Sequence, residues 1–157
     1  MIDVVLAQAV HITSVVVWIG GVGFLTTVLL PAIRRSHMPA ERLTAFLQFE
    51  GSFVGQARIA VALVGLSGIY MVHQLGLWGL FYVARSWWMH AMVSLWLTFA
   101  VMLFILEPFY FHRRWEALAQ NDATGQAFAK LQRLHQGLFF LSLTVVFAAS
   151  AGAHGVF

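Results

Sequence analysis

Four long apolar runs, few charges and a lopsided placement of those charges predict an all-α integral membrane fold. The expected architecture is a four-helix antiparallel transmembrane bundle with both termini periplasmic. Of the 157 residues, 61% are hydrophobic and only 10% charged. Soluble domains carry ~45–50% apolar residues, so the excess calls for an apolar solvent. A spanning helix takes ~20 apolar residues, and four stretches reach that length. Residues 1–157 are therefore expected to form a single membrane domain, with no separate soluble one.

The first span is expected over about 4–30, closed by Pro31 and followed by Arg34 and Arg35. Its apolar run is too long for a signal-peptide core and lacks a basic leader, so it reads as a span, not a cleaved signal. The second span is expected over about 53–76, the third over about 87–110 with Pro108 near its end, and the fourth over about 134–153. Pro39 suits the first turn of a helix. From there Leu43, Phe46, Leu47 and Phe49 alternate with polar residues at helical spacing. This predicts an amphipathic surface helix over about 39–49, separated from the second span by Gly51. A weaker helical piece is expected from Gly125 to Arg133.

Charge sets the sidedness. Eight of the nine basic residues, all but Arg85, flank the first and third connections. Lys and Arg concentrate on cytoplasmic loops, which places both termini outside. The localisation this implies is a bacterial inner membrane, multi-pass. Trp78, Trp87 and Trp88 fall at the expected outer interface and Trp115 at the inner one, whereas Trp18 and Trp96 fall inside the hydrocarbon. The net charge of +3 is a topology signal, and no basic stripe suits nucleic acid, which is excluded as a partner. With no cysteine, disulfides, thiolate metal sites, iron–sulfur clusters and covalent haem attachment are excluded as well. No carboxylate pair, nucleophile–base set or phosphate loop supports a hydrolase or kinase.

Each span carries one histidine near its outer end: His11, His73, His90 and His154. Ionisable residues in a membrane are costly and mark functional sites by default. At ~1.5 Å rise per residue all four fall in the outer third of the bilayer, with His11 the deepest. Such a layer suits haem b, which needs one or two axial ligands in a dry helix bundle. It equally suits copper, because Met71, Met89 and Met92 share the layer and thioether with imidazole favours Cu(I). Small residues accompany it: Ser14, Gly20, Gly21, Gly23, Gly65, Ser67, Gly68 and the run from Ala148 to Ala153. They either let helices approach closely or clear room for a macrocycle. Trp18 and Trp96 either pack on that macrocycle or between helices. On the inner side Glu107 is placed to pair with Arg58, Arg113 or Arg114. His135 reads as interfacial; a second haem between it and His112 asks more than four short helices support.

The run from His11 through Trp18 to Gly20 and Gly21 resembles the first span of copper-resistance D (CopD-type) membrane proteins and of the HemJ-type protoporphyrinogen oxidases. Both carry a His, six residues, then Trp and a small pair. Trp88-Met89-His90-Ala91-Met92 is similar to the HemJ-type Trp-Leu-His-x-Lys, and Arg58 to Gly68 is similar to the second CopD-type span. The resemblance covers the layout of most of the chain through short motifs. It implies a haem-binding or copper-handling inner-membrane protein, with His11 inheriting the link to haem b. Met92 stands where the HemJ-type Lys associated with activity would be, so protoporphyrinogen oxidation is not carried over. His154 lies outside that pattern.

The expected function is a cytochrome b-like, haem b-binding electron carrier between a quinone and a periplasmic redox protein. His11 is the first axial ligand, with His73, His90 and His154 as candidates for the second ligand and supporting positions. The alternatives are copper uptake through the His/Met layer and a structural subunit of a larger complex. The lipid bilayer is the surrounding partner, and a homodimer stays open.

Overall fold

The structure, a computed structural model, describes residues 1–156, and side chains throughout them except at positions 111–113 and 116. Four long helices make up the fold, and no strand occurs among the described residues. We number them α1 (Ile2–Ser36), α2 (Arg42–Gln74), α3 (87–119) and α4 (Gln126–Ala153). All four are long and apolar enough to cross a bilayer. Helices of this kind satisfy their own backbone, the condition a hydrocarbon solvent imposes.

The helices alternate in direction. Tyr70 near the end of α2 donates to Asp3 at the start of α1 (2.8 Å). Trp88 at the start of α3 lies against Gly152 at the end of α4. One end of the bundle thus holds both termini and the four histidines, and we call it the histidine end. The other holds the Arg-rich connections and is called the basic end.

Apolar side chains face outward as well as inward. Only 17% of the most apolar window of α4 is buried, and 22% of that of α3. Phe140, Phe147, Ile59 and Leu66 are among the large exposed residues. A surface so apolar is unlike the isolated exposed apolar residues of a soluble monomer. The interior holds two clusters. One, at mid-height, gathers Trp18, Val22, Val61, Val64, Leu95 and Phe99. The other, at the basic end, gathers Leu30, Ile33, Leu43, Phe46, Phe128 and Leu131.

The second cluster explains where the helices depart from the expected spans. Residues 39–49 are not a separate surface helix. After one 3-10 turn at Pro39–Glu41 the chain enters α2 at Arg42 and passes Gly51 without a break. Leu43 and Phe46, expected to face lipid, are fully buried against Leu30 and Phe128. Tertiary burial outweighs the ~1 kcal/mol that a mid-helix glycine costs. The piece expected from Gly125 is simply the first turns of α4, which begins at Gln126, eight residues before the expected 134. Asp122 starts it, accepting from the backbone N–H groups of Ala127 (3.0 Å) and Phe128 (3.2 Å).

Neither proline ends its helix. Pro31 follows a π-helical stretch at Leu25–Leu29, and Pro108 lies within another at Met102–Phe111. Proline lacks an N–H and its ring presses on the carbonyl one turn back, so the helix widens to pass it. At Pro108 the freed carbonyl finds another donor. In a π-helix Leu103 would bond the N–H five residues on, which is Pro108. Arg58 Nε donates to the Leu103 carbonyl instead (2.9 Å).

Candidate functional site

His11 is the half-buried histidine of the layer, set between α1 and α2. Its Nδ1 lies 3.1 Å from the Val64 carbonyl and 3.1 Å from Ser67 Oγ. A carbonyl only accepts, so the proton sits on Nδ1 and the Nε2 lone pair is left over. Gly68 makes the approach possible, since a Cβ there would stand 3.3 Å from His11 Cε1. The local sequence Leu66-Ser67-Gly68 thus supplies both the hydroxyl and the room.

The other three histidines share the end but not the site. His73, His90 and His154 are exposed. His90 meets the edge of Phe81 at 5.5 Å between ring centroids, and His154 Nδ1 is 2.7 Å from its own Ser150 carbonyl. Among the described residues no group of three or more His, Asp or Glu is close enough to hold a metal ion. The four-histidine ligand set expected from depth alone is therefore not assembled. Counting residues gives height only coarsely and leaves open which way each ring points: His11 is level with Ser67 and Gly68, whereas His73 lies past Tyr70, which is level with Asp3. Of the methionines expected to share the layer, Met89 is buried, Met92 packs on the mid-height cluster and Met71 is half-buried.

The small residues receive the protein's own rings. A Cβ at Gly65 would overlap Trp96, whose Nε1 donates to the Val61 carbonyl on the same face of α2 (2.8 Å). One at Gly152 would overlap Trp88, one at Gly21 would stand 2.6 Å from Phe53, and one at Gly23 would stand 2.9 Å from Phe139. These notches are filled by the protein's own rings. The donor chemistry of the histidine end fits haem b; an enclosed pocket for it is not built into the described residues.

Trp18, expected to pack either on a macrocycle or between helices, packs between helices at mid-height and lines a groove that runs toward the basic end. Its indole is buried edge-on against Phe99 at 4.8 Å. Its Nε1 is the one buried side-chain polar atom without a partner among the described residues. The groove is also lined by Phe53, Met102, Glu107, Leu134 and His135. Glu107 pairs with Arg58, one of the partners expected for it. His135 Nδ1 donates to the Leu131 carbonyl (3.0 Å). A second haem between His135 and His112 falls on a side chain outside those described. Sequence reading missed this groove, because its walls come from four helices and its only motif-like residue, Trp18, pointed to His11.

Comparison with protein-family models, with curated proteins and with solved structures finds no match.

Proposed function

We propose that this chain is an inner-membrane, haem b-binding protein that passes single electrons between a membrane carrier and a periplasmic partner, with His11 as an axial ligand. The observation that carries the reading is the tether on His11. A ligating imidazole has its second nitrogen hydrogen-bonded, which fixes the tautomer and orients the ring. The Val64 carbonyl and Ser67 hold His11 in that way and leave Nε2 available. Haem b, when bound, supplies a one-electron centre whose potential follows its ligands and burial. The exposed imidazoles of His73, His90 and His154 are the candidates for a second ligand or for holding propionates. The resemblance to CopD-type and HemJ-type first spans supports the same role for His11. The asymmetry of basic residues supports a cytoplasmic basic end and a periplasmic histidine end.

Copper handling, the rival, draws less support, since Met89 is committed to packing. The two readings separate on purified variants. His11→Ala is expected to lose the haem absorption, and Met92→Leu to retain it. A His11→Ala protein with an undiminished spectrum would remove His11 from the ligand set.

A further inference from the structure

In the basic half of the bundle a groove, an unpartnered buried donor and two widened helices coincide. We infer that this groove binds the ring of a membrane quinone, with the Trp18 indole N–H donating to a ring carbonyl. The groove's cavity volume is about 90 Å³. That is less than the ~150 Å³ that encloses benzene, so only one carbonyl-bearing edge of a ring enters and the rest lies in the open mouth. The walls are aromatic and aliphatic: Trp18, Phe53, Phe99, Met102, Leu134 and Leu138.

Trp18 is 4% exposed and its Nε1 is without a partner. A buried donor left unmade costs ~1–3 kcal/mol, and native structures rarely leave one so. A carbonyl acceptor inside the groove satisfies it. The two π-helical stretches supply Leu25 from α1 and Met102, Leu103 and Glu107 from α3 to the walls. Such stretches are frequent at functional sites. Of the two carboxylates on the wall, Glu107 is held by Arg58 and Glu50 is also engaged, which favours a neutral, acceptor-bearing occupant. Leu134, on α4, is 45% exposed at the rim, which gives an isoprenoid tail a way out along the apolar exterior. The choice of a quinone among flat carbonyl compounds rests on the electron-transfer reading; the binding of such a ring does not.

The test is equilibrium titration of ubiquinone-1 into the detergent-purified protein, with the same titration into detergent alone. Saturable one-to-one binding is expected. Trp18→Phe, which keeps a ring against Phe99 and removes the donor, is expected to weaken it about tenfold. Ala57→Leu, which adds bulk at a buried wall position, is expected to abolish it, while Trp78→Phe on the exterior leaves it unchanged. Equal affinity of wild type, Trp18→Phe and Ala57→Leu would overturn the assignment, as would uptake that the detergent alone reproduces. The titration reads binding whether or not the protein is pigmented. A colourless protein that binds ubiquinone-1 through Trp18 sinks the haem reading alone, and a pigmented one that does not bind sinks the quinone site alone.

Discussion

Single glycines decide how closely the aromatic side chains approach this bundle. Gly65 gives Trp96 its path to the Val61 carbonyl. Gly65→Ala is expected to cost ~1–3 kcal/mol, the usual penalty for overpacking, read as a lower melting temperature in detergent. Gly51 is the contrast: it lies within α2 with nothing near the position of a Cβ. Gly51→Ala should raise stability by ~0.5–1 kcal/mol by removing a helix-interior glycine. A loss of stability there would argue for the helix break that the sequence alone suggests. At this scale the sequence was half legible. That glycines line the spans is plain from their positions; that Trp96, Trp88, Phe53 and Phe139 fill the notches depends on packing between segments distant in sequence.

The elements show what periodicity and hydropathy can and cannot locate. The apolar middle of each helix stands out in the sequence. The helix ends do not, because residues 42–52 and 126–133 are mixed in polarity and are held by burial of Leu43, Phe46, Phe128 and Leu131. Pro31 and Pro108 read as terminators, yet the backbone widens around them and continues. At Pro108 that continuation depends on Arg58, which bonds both the Leu103 carbonyl and Glu107. The pair is half-buried, and removing one partner of a desolvated pair is worse than removing both. Arg58→Met should therefore destabilise the protein by ~1–3 kcal/mol, and a thermal melt of Arg58→Met combined with Glu107→Leu should recover part of that loss. If the double variant is no more stable than the single one, the pair does not act as a unit.

For the whole molecule, four apolar helices wrapped by exposed Phe, Leu, Ile and Val fit a bilayer better than water. The absence of cysteine makes sidedness directly measurable. Gly155→Cys, at the histidine end, should react with an impermeant thiol reagent on intact cells or spheroplasts, and Ser36→Cys, at the basic end, only after permeabilisation. The reverse pattern would invert the topology read from the arginines. The fold class and helix count were legible at this scale because the bilayer imposes length and composition on every span. The site was legible only in part. His11 stood out as a polar residue in an apolar run, and it is tethered between helices; His73 lies beyond the Tyr70–Asp3 contact, nearer the end than His11, and His73, His90 and His154 are exposed.

The central claim is that His11 serves a haem. The most direct test is an absorption spectrum of the detergent-purified wild-type protein, before and after dithionite, with metal analysis of the same sample. A Soret band with sharp reduced α and β bands, and iron in proportion to protein, is the predicted result. A colourless protein, with stoichiometric copper or with no metal, would contradict it.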